Sequence, residues 1–263
     1  MIPARAEKVL GTALSRAGRV LRRKFGKVGV GYKGRANLVT AADLESQEAV
    51  LATIRRAFPG HDYLAEESAA KKTGSDYLWV IDPLDGTTNF AHGYPVCCVS
   101  IGLLRRGVPV LAGIYDPFRR ERFTARRGRG AHLNGRRIRV SAAGSVSESL
   151  LVTGFPYDRA ERSRFYVEFY RRFMVSCHDV RRSGSAALDL AWIAAGRAEG
   201  FWEFNLSPWD VAAGALLVAE AGGKVTDFAG RPWRSLEDFG RRTLATNGRV
   251  HAEMLKTLNK GLP

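Results

Sequence analysis

The segment from Asp82 to Thr88 sets two carboxylates, Asp82 and Asp85, three positions apart, with Pro83 between them to fix the bend of the backbone. Both side chains can then face one point at the end of a strand, and such a point suits a cation. Hard divalent ions such as Mg²⁺ prefer carboxylate and carbonyl oxygens, and the Leu84 carbonyl lies between the two acids. Gly86, Thr87 and Thr88 follow at once, and their N–H groups and hydroxyls can approach an anion as a helix N-terminus does. Candidate metal ligands and candidate phosphate donors are thus adjacent in the chain. Surface turns often carry two acids; the apolar run before this pair and the Gly-Thr-Thr after it make it informative.

The elements that must position these residues are legible in part. Tyr77–Ile81 is a continuous apolar run, the profile of a buried strand whose ladder Pro83 would end. Glu66 and Glu67 follow the strand-like Tyr63–Ala65, so one of them can point to the same place. Asp210 opens the apolar helical stretch Val211–Ala221, where an acid also suits the helix dipole. Thr40 predicts an N-cap for a helix that ends at Phe58 before Pro59-Gly60, which puts Asp43 in its first turn. Upstream, apolar residues recur at helical spacing from Arg5 to Phe25, and Gly29, Gly31 and Gly34 suggest a flexible basic loop. Strands are expected at Val96–Leu104, Val108–Tyr115 and Arg122–Ala125, with a hairpin turn at Asn134-Gly135. Beyond a soft boundary near Gly144 come a strand at Ser149–Thr153 and helical spacing at Phe165, Phe169 and Phe173, and again at Leu188, Leu190 and Ile193. Short strands at Lys224–Asp227 and Thr243–Thr246 precede a last helix near Ala252–Leu258.

Glu66-Glu67-Ser68, the run Asp82–Phe90, Trp209–Gly214 and Glu220–Gly223 together resemble the motifs of the inositol monophosphatase family, and the resemblance extends from Asn37–Asp43 to Thr246-Asn247. It implies an α+β fold, a layered α-β-α-β-α sandwich of the inositol monophosphatase and fructose-1,6-bisphosphatase type, over residues 1–263 as one domain with the soft boundary near 144 between an α+β half and an α/β half. It implies a first Mg²⁺ site at Glu66, Asp82 and the Leu84 carbonyl, a second at Asp82, Asp85 and Asp210, and a weaker third ion near Glu66. Thr87 with Glu66 would position the attacking water, supported by Asp43. Leu84, Asp85, Gly86 and Thr87, then Gly184, Ser185 and Ala186, would contact phosphate and substrate; Glu203 would bind substrate hydroxyls, with Asp210 close by. Ala65 stands where the family often has Gly, and Ser185 where Thr is common; neither removes a ligand or a hydroxyl. Trp202 and the arginines between Arg159 and Arg182 would alter the outer wall of the pocket, so the substrate is less fixed than the reaction.

The implied reaction is Mg²⁺-assisted hydrolysis of a phosphate monoester, inhibited by lithium, with inositol 1-phosphate the expected substrate. Fructose 1,6-bisphosphate, histidinol phosphate and 3′-phosphoadenosine 5′-phosphate are the rivals. Glu66, Asp82, Asp85 and Asp210 would repel one another if gathered without cations; two Mg²⁺ cancel their charge, and a phosphate dianion leaves room for a third.

Of the 263 residues 45% are hydrophobic, a globular composition, and 41 Lys+Arg against 26 Asp+Glu give a formal charge of +15. Arginine supplies 32 of those cations, nine of them between Arg119 and Arg139 with the single acid Glu121. Interleaved Phe123, Leu133, Ile138 and Val140 make that block read as half-buried strands with a solvated outer face. A nucleic acid or RNA polymerase as partner is the minority reading, since some proteins of the family act on transcription. Cys97, Cys98 and Cys177 are an odd number in apolar settings and read as reduced structural thiols. The charged start excludes an ordinary secretory signal, and the longest strongly apolar run, Val211–Ala219, is far too short for a membrane span. A soluble cytoplasmic homodimer is expected.

Overall fold

The computed structural model describes residues 2–27, 29–32 and 38–260. Helical spacing near the start becomes α1 (Ala6–Lys24), whose buried stripe includes Leu10, Leu14, Ala17 and Leu21. The glycine-rich stretch is not wholly a loop: β1 (Val30–Tyr32) pairs antiparallel with β2 (Leu38–Thr40), Gly31 opposite Val39. Gly34 and Asn37 lie outside the described residues. Thr40 caps α2 (Ala41–Ala57) as anticipated, in a reciprocal box with Asp43.

A seven-stranded sheet follows, in the order β3 (Asp62–Ala65), β4 (Tyr77–Asp85), β5 (Cys98–Arg105), β6 (Val108–Asp116), β7 (Glu121–Arg126), β8 (Gly130–Leu133) and β9 (Arg136–Ile138). A short helix, α3 (Thr87–Ala91), leaves β4 at once. Asn134 and Gly135 both have positive φ, as a two-residue hairpin requires. One expectation is corrected: Pro83 does not end β4. The ladder passes from Asp82 opposite Ser100 to Asp85 opposite Cys98, three steps on β4 against two on β5. That bulge accommodates the residue with no N–H and carries the strand on to Asp85.

A five-stranded sheet is built from β10 (Leu150–Thr153), β11 (Asp179–Arg181), β12 (Gly200–Phe204), β13 (Lys224–Thr226) and β14 (Arg242–Thr246), in the order β11-β10-β12-β14-β13. Between the two sheets lie α5 (Ala186–Ala194) and α6 (Pro208–Glu220). Both are apolar nearly all round, and Gly102 of β5 and Gly214 of α6 allow the close approaches that this layer needs. On the outer face of the five-stranded sheet pack α4 (Arg159–Met174) and α7 (His251–Asn259). With α1 and α2 on the far side of the seven-stranded sheet, the order of layers is α-β-α-β-α, as the resemblance implied.

The Arg119–Arg139 block forms the strands at one edge of the larger sheet, with Phe123 and Ala125 buried and most of its arginines at the surface. Cys97 and Cys98 are buried free thiols, and Cys177 is half-buried. Among the described residues no helix is long and apolar enough to cross a membrane.

Candidate active site

The C-terminal end of β4, the start of α3, the N-terminal turns of α5 and α6 and the end of β12 converge on one cleft of about 330 Å³. At its floor Asp82, Asp85 and Asp210 offer carboxylate oxygens that all lie within 4.8 Å of one another. Each is oriented from behind. Asp82 accepts from the Leu84 N–H at 2.9 Å, across the bulge. Asp85 accepts from the Ser185 hydroxyl at 2.6 Å and the Ala187 N–H at 2.7 Å, both at the start of α5. Asp210 sits at the third position of α6 and accepts from the Ser207 N–H at 2.7 Å, with Pro208 at the position where a missing N–H costs nothing.

Three acids so placed resist ionisation. Burial, followed by the charges of Glu66, Asp85 and Asp210, holds Asp82 well above the ordinary carboxylate range. Burial and then the Asp85 charge do the same to Asp210. Asp85 is raised by burial against the opposing hydrogen bonds from Ser185 and Ala187. This donor set is acceptor-only oxygen with surplus negative charge, which is the chemistry that a hard divalent cation satisfies.

Glu66, just beyond β3, lines the same cleft without joining the trio at that spacing, and its charge acts on Asp82 and Asp210. Leu84 is buried, and its carbonyl is 3.0 Å from the Thr87 hydroxyl. The same hydroxyl lies 2.9 Å from Asp43 Oδ1. A hydroxyl has one proton for these two acceptors, so its oxygen keeps acceptor capacity toward the cleft. Asp43 itself is buried behind Thr87 and takes the Thr40 N–H and hydroxyl on its other oxygen, both at 2.7 Å. Gly86 has φ of 94°, and a Cβ there would come within 2.8 Å of the Val96 carbonyl, so glycine is required.

Gly184, Ser185, Ala186 and Glu203 all line the cleft. Glu203 is buried on β12, and burial pushes its carboxyl up to about 8, with the Arg182 charge opposing. Its carboxylate packs on Gly154, where a Cβ would overlap both carboxylate oxygens.

Sequence reasoning did not single out Asn89, Gly154, Tyr157 or Asp189. Asn89 donates to the Val96 carbonyl at 2.7 Å and to the Ser183 carbonyl at 2.9 Å, tying α3 to the turn that opens α5. Asp189 is buried, held above the usual range by burial, and accepts from the Ser183 hydroxyl at 2.6 Å. Only the place of Asn89 inside the Asp82–Phe90 run could have drawn attention to any of them.

The model of the inositol monophosphatase family matches residues 4–262. The chain belongs to the inositol monophosphatase family. Within that family it is 49% identical to an inositol-1-monophosphatase of Synechocystis over 230 residues, 86% of this chain and 78% of that protein. It is 46% identical over 241 residues, 90% of this chain and 88% of the other, to a Nus factor SuhB of Pseudomonas aeruginosa. Among solved structures, the inositol monophosphatase of Anabaena superimposes with a TM-score of 0.88 at 47% identity, covering 97% of this chain and 96% of that one. The extragenic suppressor protein suhB of Bartonella henselae gives 0.92 at 39% identity, over 98% and 100%. The family's layered fold and its phosphatase chemistry therefore frame the cleft.

Proposed function

We propose that this chain hydrolyses a phosphate monoester, inositol 1-phosphate or a closely similar polyol phosphate, with Mg²⁺. The observation that carries the reading is the convergence of Asp82, Asp85 and Asp210 in a cleft that also holds Glu66, Thr87 and Glu203. Asp82, Asp85 and Asp210, with Glu66 and the Leu84 carbonyl, are the groups that would hold two or three ions. Bound there, Mg²⁺ would polarise the phosphoryl oxygens, lower the pKa of a water and stabilise the leaving alkoxide.

The rest falls to the chain's own groups. Thr87, its proton engaged by Asp43 and the Leu84 carbonyl, accepts a hydrogen bond from the incoming water, and Glu66 completes that water's surroundings. Gly86, Thr87, Ser185 and Ala186 orient the phosphoryl group from the starts of α3 and α5. Glu203 accepts hydrogen bonds from hydroxyls of the polyol, its position fixed by the bare backbone of Gly154. No side-chain nucleophile takes part, and burial pushes the thiol nearest the trio, Cys98, well above its usual range. The protein is proposed to act in the cytoplasm as a homodimer. Phosphate release measured with Mg²⁺ over inositol 1-phosphate, fructose 1,6-bisphosphate, histidinol phosphate and 3′-phosphoadenosine 5′-phosphate tests the reading. A kcat/KM highest for inositol 1-phosphate supports it; no release from any of the four refutes it.

A second reading, of another class, is favoured by the Nus factor name of the Pseudomonas relative and by the net charge of +15. On it, the same fold also binds RNA or RNA polymerase. An RNA affinity that falls steeply with salt supports this, and no measurable affinity at low salt removes it.

A further inference from the structure

The segment that joins β10 to α4 is tied down at every residue but one. Gly154 and Pro156 are buried, Gly154 against the Glu203 carboxylate. Phe155 packs on the aromatic cluster of α4 and β12, its ring centre 6.3 Å from that of Tyr170. Asp158 is held by the Tyr166 hydroxyl, which lies 2.8 and 3.0 Å from its two carboxylate oxygens. Tyr157 stands between these anchors and is 60% exposed. Among the described residues no aromatic ring stacks on it and no group forms a hydrogen bond with its hydroxyl.

A tyrosine ordinarily covers its ring and finds a partner for its hydroxyl, so one left bare is informative. Tyr94 is similarly exposed, yet of the two only Tyr157 lines the cleft. Its ring lies open at the mouth while its hydroxyl end turns inward. There burial, and then the charges of Glu66, Asp210 and Asp82, hold the phenol above its ordinary range, so it stays a neutral donor. With the backbone fixed on both sides, the ring is in place before a substrate arrives, and covering it costs little conformational freedom.

We propose that Tyr157 is a specificity-determining residue whose ring covers the C–H face of a cyclic polyol while its hydroxyl donates to an oxygen of the phosphoryl group. This rests on the phosphatase reading and narrows it: the preferred substrate is a ring-shaped polyol phosphate rather than an open-chain one. A closed ring carries its hydroxyls outward and leaves a fixed patch of C–H between them, which an aromatic face can cover without stripping water from the hydroxyls. An open chain has no such patch until it is ordered, and ordering it opposes binding.

Inositol 1-phosphate and glucitol 6-phosphate, polyol monophosphates of equal carbon number that differ in ring closure, test this with Mg²⁺ present. Wild-type kcat/KM should favour inositol 1-phosphate by about tenfold or more. Tyr157→Phe should lower kcat/KM for both substrates by a similar factor, about fivefold for one lost hydrogen bond, and keep the ring preference. Tyr157→Ala should lose that preference as well, through a higher KM for inositol 1-phosphate. General damage to the fold would lower both substrates alike and leave the ratio standing. A wild type without the preference, or a preference that survives Tyr157→Ala, overturns the ring contact, and a Tyr157→Phe protein indistinguishable from wild type overturns the hydroxyl contact. If the wild type releases phosphate from neither substrate, the phosphatase reading fails separately. Calorimetric titration with inositol 1-phosphate and Mg²⁺ then decides the role of Tyr157: binding that Tyr157→Ala loses and Tyr157→Phe largely keeps sustains it, and binding that is absent or unchanged overturns it.

Discussion

The Asp85 carboxylate accepts the Ser185 hydroxyl at 2.6 Å, a hydrogen bond between residues 100 positions apart. A ligand candidate on the larger sheet is thereby oriented by the helix layer beneath it, with the Ala187 N–H as second donor. If that bond aims Asp85 at a cation, Ser185→Ala raises the Mg²⁺ concentration for half-maximal rate several-fold, while Ser185→Thr, which keeps a hydroxyl, does so far less. Titration of the rate with Mg²⁺ separates the two; equal values for both variants would show that the hydroxyl is dispensable.

Asn89 joins the same two parts of the site by a different route, through the Val96 and Ser183 carbonyls. Asn89→Ala removes two part-buried hydrogen bonds at about 1 kcal/mol each, so urea unfolding should show a loss of about 2 kcal/mol. Activity should fall by more than the unfolded fraction accounts for, because the turn before Ser185 loses its anchor.

Gly154 is glycine because Glu203 occupies the space of a side chain there. Gly154→Ala must displace the carboxylate, and KM for a polyol phosphate should rise about tenfold with a smaller change in kcat, as expected when ground-state contacts are lost. A KM left at the wild-type value would show that Glu203 does not meet the substrate.

The raised carboxyls of Asp82 and Asp210 make metal-free stability depend on pH. Both ordinarily ionise near 3.8 and are held well above that in the folded chain, so the folded state binds these protons more tightly than the unfolded one. Their stabilising contribution is complete below that value and is lost as pH rises through the folded pKa values. In EDTA, D82N/D210N should therefore gain in Tm over the wild type as the pH is raised from 4 to 7.5. Adding Mg²⁺ at pH 7.5 should raise the wild-type Tm and leave the variant's nearly unchanged. A gap that does not vary with pH, or that Mg²⁺ does not close, contradicts the cluster's assigned role.

Much of this was readable before any coordinates. Thr40 with Asp43 announced a helix start because a capping box is local chemistry, and Asn134-Gly135 announced a hairpin because few residues tolerate two positive φ angles in a row. The contribution of Asp210 came through its motif, since nothing in its own neighbourhood distinguishes a metal acid from a helix-start acid, and in the structure it is both a cap and a member of the trio. Pro83 misled because a proline forbids a ladder bond but not a bulge. The strand β11, Asp179–Arg181, is three residues with two charges and has no pattern of its own; pairing with β10 alone makes it a strand. The role of Gly154, and the tie that Asn89 makes from within its motif, were not legible for a related reason, as their partners lie far along the chain at Glu203 and Ser183.

The central claim is that the aspartate trio holds the cation on which phosphate release depends, and Asp85→Asn tests it most directly. The variant keeps the size of the side chain and an oxygen for Ser185 while removing the charge. Measured on inositol 1-phosphate with saturating Mg²⁺, kcat/KM should fall at least about a hundredfold, with circular dichroism and Tm in EDTA at or above the wild-type values. A folded Asp85→Asn protein that releases phosphate at the wild-type rate would contradict the account.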